Sequence, residues 1–199
     1  MTTIDLGALK RWPDVPACYG WLSLDRRGQW RLRGEPVSHA GLIAFLNRQY
    51  GCDGRGNYFV QNGPQQVFVE LEYTPWILRL AEEGRLQTHT GESVAAILSA
   101  TLDEEGNLLL EIEAGIALLC DRDLPTLLDF LRDAGDQPAD DAALLELMAS
   151  AGESPGRPGK LALAWQNRRI PLQSLRRAEV ARRFGFVSSP VPANSTLTE

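Results

Sequence analysis

From Gly20 onward, apolar and polar residues alternate along the chain. Leu22, Leu24, Trp30 and Leu32 recur at period two on either side of Asp25-Arg-Arg-Gly28, which predicts a hairpin. Aspartate opens the turn and glycine supplies its left-handed position. Trp21 and Trp30 on this hairpin are expected in the core. Upstream, residues Ile4 to Arg11 read as a short helix behind Thr3 or Asp5, ending before Pro13. Downstream, Ser38 stands where it would cap a helix running to about Gln49, with Leu42, Ile43, Phe45 and Leu46 on one face. Tyr58 to Val60, the turn Gln61-Asn62-Gly63-Pro64 and Gln66 to Leu71 then form a second predicted hairpin.

The same order recurs. Leu102-Asp-Glu-Glu-Gly106-Asn-Leu108 keeps the L-D-x-x-G frame of Leu24-Asp-Arg-Arg-Gly28-Gln-Trp30, with strands expected over Ala95 to Thr101 and Leu108 to Glu113. Leu127-Leu-Asp-Phe-Leu131 matches Leu42-Ile-Ala-Phe-Leu46 on a helix capped near Asp123. Leu163-Ala-Trp-Gln-Asn167 matches Tyr58-Phe-Val-Gln-Asn62, and Arg169 to Leu172 falls where Gln66 to Val69 fell. The expected fold class is therefore α+β: two repeated hairpin–helix–hairpin units, mainly antiparallel sheets, and a C-terminal half with a terminal helix. The units span residues 1–90, with the leading helix, and 91–187. The second carries an acidic insertion from Asp133 to Gly159, with a helix over Ala142 to Ala151, and a terminal helix from Leu172 to Phe184. Residues 188–199 have the polar, Pro- and Ser-rich composition of a disordered tail.

Composition alters this picture chiefly through charge. The net charge of −6 over 199 residues hides an uneven distribution: +1 over residues 1–90, −13 over 91–155 and +6 over 156–199. Either the acidic and basic segments pair within the fold, or the basic end meets an anionic partner. No apolar run approaches the roughly 18 residues of a membrane helix, and no secretory signal opens the chain. Cys18, Cys52 and Cys120 make neither a disulfide framework nor a zinc pattern, so a cytoplasmic location is expected. The acidic total counts against nucleic acid as a partner.

Catalytic signals are sparse. His39 and His89 lack neighbouring Asp, Cys or Ser at a triad or metal spacing, and Ser38 has no nucleophile-elbow surroundings. Asp133, Asp136, Asp140 and Asp141 lack the calcium-loop pattern. The glycine-rich run Gly51 to Asn57 leads into a strand, whereas phosphate cradling needs a helix N-terminus. No catalytic residue, metal or cofactor is expected; a hydrolase using His39 with Glu35 or Cys52 is the weakest alternative. Binding signals are stronger. Gln61, Asn62 and Gln65 either only build their turn or present amides to a ligand between the halves, with Glu72, Tyr73 and Trp76 completing the pocket. Arg176 and Arg177 lie on the terminal helix, where Arg182 and Arg183 form a second basic pair. Those guanidinium groups could meet phosphate or an acidic peptide, or face the acidic middle segment.

Two stretches also carry a likeness. Gly28-Gln-Trp30-x-x-x-Gly34-Glu-Pro36-Val37, with its following Leu-x-x-Phe-Leu helix, is one. Tyr58-Phe-x-x-Asn62-x-Pro64-x-x-Val67-x-Val69-x-x-Glu72-x-x-Pro75-Trp76 is the other. Together they resemble proteobacterial families catalogued only as domains of unknown function. That resemblance implies a duplicated α+β fold whose C-terminal half looks like a pleckstrin-homology roll, and a role in ligand binding or signal transduction. The expectation that follows is a non-enzymatic regulatory module taking a small anionic ligand or partner where its halves meet. A protein–protein adaptor acting through the basic C-terminal helix is the alternative.

Overall fold

A computed structural model describes residues 15–151 and 158–192. The helix expected over Ile4 to Arg11 lies outside the described residues, as does most of the Ser154 to Gly159 loop. The first unit runs β1 (Ala17–Leu24), β2 (Trp30–Leu32), β3 (Glu35–Pro36), α1 (Ala40–Gln49), β4 (Tyr50–Cys52), β5 (Tyr58–Asn62) and β6 (Gln65–Leu71). A connecting hairpin follows, β7 (Trp76–Leu80) and β8 (Leu86–Thr88). The second unit runs β9 (Ser99–Asp103), β10 (Leu108–Ile112), β11 (Gly115–Leu119), α2 (Leu124–Leu128), β12 (Leu131–Arg132), α3 (Asp141–Ala149), β13 (Pro158–Trp165), β14 (Arg168–Leu175) and α4 (Arg177–Phe184).

The repeat is visible in the pairing of the strands. The first sheet has the order β3-β2-β1-β6-β5-β4. Read from its far side, the second has β11-β10-β9-β14-β13-β12, with β7 and β8 added beyond β11. The two central strands of each repeat are parallel, β1 with β6 and β9 with β14, and the strands flanking them pair antiparallel, while β7 joins β11 in parallel. Register is kept as well: Leu24 faces Leu71 and Trp30, while Leu102 faces Ser174 and Leu108. The fold is thus α+β with duplicated units, and the curled second sheet with its terminal helix is the expected roll.

One local device recurs at four turns among the described residues. Asp25 Oδ1 accepts the N–H groups of Arg27 and Gln29, and Asp103 Oδ1 those of Glu105 and Asn107. Asp53 does the same for Arg55 and Asn57, and Asp133 for Gly135 and Gln137. In each turn the third residue after the aspartate is left-handed: Gly28, Gly56, Gly106 and Asp136. The carboxylate satisfies two amides that the tight turn leaves without ladder partners. At Gly56 a side chain is excluded twice over. Its φ is +82°, and an added Cβ would lie 2.3 Å from the carbonyl oxygen of Gly185.

Several expected boundaries move. His39, not Ser38, caps α1, its Nδ1 accepting from Leu42 N at 3.1 Å. The second helix stops at Leu128, so Leu131 is a buried strand residue. Asp123 sits at that helix's start but spends its carboxylate on Leu80 N, 3.0 Å away. The insertion helix begins behind Asp140, which accepts from Ala143 N, and packs against β9 and β14. Leu172 to Leu175 finish a strand and the terminal helix begins at Arg177, because Ile170, Leu172 and Ser174 turn inward at strand spacing. The hairpin turn follows Asn62 in one unit and Trp165 in the other, so the Leu163 to Asn167 match is out of step. The tail does not start at Ser188 as loose chain: Leu71 N donates to Ser188 O, and Pro190 is buried.

The two sheets share one apolar core. At its centre Trp30, Tyr50 and Tyr58 of the first unit meet Trp76 and His89 of the connecting hairpin edge-on, with ring centroids 5.2–6.3 Å apart. Trp30 is buried there and donates from Nε1 to Asn47 Oδ1 at 2.7 Å. Trp21, by contrast, is only partly buried, at the margin of the core. It points to the opposite face of β1, where the Arg33 guanidinium covers its ring at 4.6 Å.

Candidate ligand cleft

The connection from β6 to β7 carries Glu72 and Tyr73 across the junction of the two units. Tyr73 is 6% exposed, and its hydroxyl donates to Asp103 Oδ2 at 2.6 Å. Asp103 is wholly buried, and Asn107 Nδ2 donates to the same oxygen at 2.7 Å. Burial, and then the Asp103 carboxylate, hold the Tyr73 hydroxyl well above its ordinary pKa, so it stays a donor.

Above the Tyr73 ring stand two cations from different units. The Arg177 guanidinium lies 4.8 Å from the ring centroid and that of Arg26 lies 5.6 Å away. Glu105 Oε2 sits between them, 2.7 Å from Arg177 Nη1 and 3.8 Å from Arg26 Nη1. The hydrogen bond from Arg177 holds the Glu105 carboxyl below its usual range. Arg26 Nη2 also donates to Asn107 Oδ1 at 2.5 Å, and Arg26 N donates to Glu72 Oε2 at 3.2 Å. Glu104 Oε2 accepts from Arg177 N at 2.8 Å and so caps α4 from a neighbouring turn, since Arg176 offers no side-chain cap. An open cleft of about 400 Å³ borders this cluster, lined by Glu72, Tyr73, Glu104 and Arg177 with Ala178 and Phe186. A second, of about 340 Å³, lies beyond Glu72 and Arg26 and is bounded by Arg27 and Asp121. Arg27 Nη2 reaches Asp121 Oδ2 at 2.6 Å, and that hydrogen bond lowers the Asp121 carboxyl to about 2.

Of the residues singled out in the sequence, Glu72, Tyr73 and Arg177 come together here. Gln61, Asn62 and Gln65 do not. Gln61 Nε2 donates to Gly63 O and Gln65 O, Asn62 Nδ2 to Gln65 Oε1, and Gln65 Nε2 to Val15 O. They tie the β5–β6 turn and the incoming chain, away from this cleft. Trp76 belongs to the aromatic seam, with Nε1 on Ala114 O at 2.9 Å. Arg176 donates to Ala151 O at 3.2 Å and anchors the chain just after α3. Arg26, Asp103, Glu104 and Glu105 were not anticipated. Their signal lay in the L-D-x-x-G match itself, which aligns Arg26-Arg27 with Glu104-Glu105 and so sets opposite charges at equivalent places.

The remaining titratable groups serve the fold. His89 is buried against the aromatic seam. Its Nδ1 accepts from Ile77 N at 3.4 Å and its Nε2 has no partner among the described residues. Burial, and to a lesser degree Arg79, lower its pKa to about 3. Cys18 and Cys120 are buried and Cys52 exposed; burial pushes all three thiols up. Asp133 makes its turn, Asp136 pairs with Arg169 at 3.0 Å and Asp140 caps α3. Among the described residues no helix is long and apolar enough to cross a membrane, and no group of three His, Cys, Asp or Glu side chains is placed to hold a metal ion.

Comparison with known proteins gives a family and a fold. Residues 1–191 match the profile of the DUF2944 family, described as "Protein of unknown function (DUF2946)", and the chain belongs to that family. No curated protein matches it. Its structure is similar to the crystal structure of a DUF1285 family protein from Silicibacter pomeroyi DSS-3. The two are 13% identical with a TM-score of 0.53, over 87% of this chain and 96% of that one. A DUF1285 family protein from Shewanella baltica OS155 aligns over 54% of this chain and 89% of its own, at 16% identity and a TM-score of 0.42. At such identity the first likeness speaks for the fold alone.

Proposed function

We propose that this member of the DUF2944 family is a non-catalytic regulatory or signalling module that binds a small anionic ligand, or an acidic group of a partner, where its two units meet. The observation that carries the reading is the convergence of Arg26 and Arg177, one from each unit, over a single buried tyrosine beside an open cleft. Guanidinium groups fixed on an aromatic face are pre-organised to take the oxygens of carboxylate or phosphate. A site built from both units would also report binding as a change in how they are held together. The non-catalytic part rests on what the reactive side chains already do. His39 is engaged as a helix cap, His89 is enclosed in neutral form, and the cysteines are held as thiols.

A thermal-shift screen of the full chain at low ionic strength, across nucleotides, phosphorylated metabolites and acyl compounds, tests it. A true ligand at ten times its Kd should raise Tm by about 3–6 °C, and Arg177→Gln and Arg26→Gln should each remove the rise. A flat response across the panel would remove the small-ligand version. An adaptor role is favoured by Arg182, whose side chain is 85% exposed at the C-terminal end of α4 beside the exposed Arg183. Loss of a defined partner on Arg182→Glu with Arg183→Glu, and not on Arg177→Gln, would support that second reading.

A further inference from the structure

Glu105 occupies the place an external anion would take. Its carboxylate lies between two guanidinium groups that otherwise have few partners: Asn107 Oδ1 for Arg26, and the Tyr73 ring for both. All three charged side chains are only partly buried, at 31% exposure for Arg26, 33% for Arg177 and 46% for Glu105, so the cluster opens to solvent. Glu105 also belongs to a turn whose backbone is fixed by Asp103 and left-handed Gly106. Its side chain can therefore leave without unfolding the turn. By contrast, the equivalent turn of the first unit carries Arg26 and Arg27 at the corresponding positions and supplies one of the two cations.

We infer that Glu105 is a tethered competitor filling an oxyanion site formed by Arg26, Arg177 and Tyr73, and that the ligand is a phosphate- or carboxylate-bearing compound that displaces it. The inference rests on the ligand reading above and adds the ligand class and a form of self-regulation. A carboxylate on a short tether presents an effective concentration on the order of millimolar, so free monoanions bind the intact protein weakly. An oxyanion attached to a larger molecule gains further contact with the apolar floor of the cleft, Ala178 and Phe186. On displacement the two units remain bridged, through the ligand in place of Glu105.

Isothermal titration and ³¹P NMR with inorganic phosphate, at pH 7.5 and low ionic strength, compare the full-length protein with Glu105→Gln; acetate runs in parallel. Expected is a gain of about tenfold or more in affinity for phosphate, acetate or both in Glu105→Gln, lost again when Arg177→Gln is added. Circular dichroism confirms that each variant is folded, and Glu105→Ala serves as the second variant if glutamine keeps the arginines engaged. Equal binding by the wild type and both Glu105 variants overturns the competitor role while leaving the ligand reading in place. A gain that survives Arg177→Gln overturns it too, since loss of negative charge would then be the whole effect. No phosphate or acetate binding by any folded variant sinks both.

Discussion

The turns at Asp25 and Asp103 are two copies of one device put to different ends. Each aspartate holds the same pair of turn amides with its Oδ1. They differ in the second oxygen. Asp25 Oδ2 faces the half-exposed Arg31 at 3.3 Å, whereas Asp103 Oδ2 takes the hydroxyl of Tyr73 and the amide of Asn107 in full burial. The residues that follow carry opposite charge, Arg26-Arg27 against Glu104-Glu105, and the two turns reach each other through Arg26. Duplication preserved the backbone, which depends on local amide satisfaction, and left the exposed positions free to become complementary. One turn thus became the positive face of the junction and the other its negative face.

Removing the two carboxylates should separate the copies most clearly. Asp103→Ala leaves the Tyr73 hydroxyl and two turn N–H groups without an acceptor among the described residues, and the Asn107 amide with only its longer bond to Glu105, a loss of about 3–4 kcal/mol. Asp25→Ala frees similar amides where water reaches them more readily, and should lose about 1–2 kcal/mol. Urea denaturation with matched m-values measures both. Equal losses would mean that the buried Tyr73 bond adds nothing to the second copy.

A second contrast lies between the two places where the units touch: the polar cleft, and the aromatic seam around His89. Enclosed in the seam, His89 has a pKa of about 3, against 6.5 for an ordinary histidine. The unfolded chain therefore takes up a proton below pH 6.5 that the folded protein refuses until about pH 3. Stability is complete above pH 6.5 and falls by about 1.4 kcal/mol per pH unit across that window. His89→Leu should flatten this part of the Tm-against-pH curve, while Arg177→Gln should leave it unchanged. A wild-type curve that matches His89→Leu between pH 6.5 and 4.5 would show that the seam admits a charged imidazole.

Much of the architecture could be read from residue order, because turns announce themselves locally. Leu24-Asp-x-x-Gly28 and Leu102-Asp-x-x-Gly106 gave both hairpins and the duplication, and Gly63-Pro64 marked the turn after β5. The related turn at Asp133 escaped notice because Asp136 replaces the glycine, and the one at Asp53 because its stretch was read only as a glycine-rich run. The parallel pairing of β1 with β6 and of β9 with β14 joins residues far apart in sequence, and no turn signals it. Alternation sets Trp21 on the face opposite Leu22, Leu24 and Trp30, and the expectation that both tryptophans are core residues passed over that spacing. The cleft was half legible for the same reason. Tyr73 and Arg177 attract attention as an aromatic and a cation, whereas Glu104 and Glu105 look like any solvated acidic turn until Arg26 is seen beside them. The pairing of the basic end with the acidic middle, through Arg177 with Glu105, Arg169 with Asp136 and Lys160 with Glu146, was one of the two outcomes that the charge distribution allowed.

The smallest effect asks how evenly the two units share Glu105. Arg177 approaches it at hydrogen-bond distance, whereas Arg26 stands off at 3.8 Å and gives its better hydrogen bond to Asn107. Double-mutant cycles with Arg26→Gln, Arg177→Gln and Glu105→Gln isolate each pair from the other contacts of its members. Because Glu105 is 46% exposed, solvent screening keeps both couplings small. About 0.5 kcal/mol is expected for Arg177 with Glu105, and less for Arg26 with Glu105. One molar sodium chloride should shrink both, since the Debye length then falls to about 3 Å. The sign of the difference matters more than its size. If Arg26 coupled to Glu105 more strongly than Arg177 does, the carboxylate would chiefly tie the second unit to the first. Displacing it would then loosen the junction itself, and any ligand able to do so would act on the relation between the units before it touched α4.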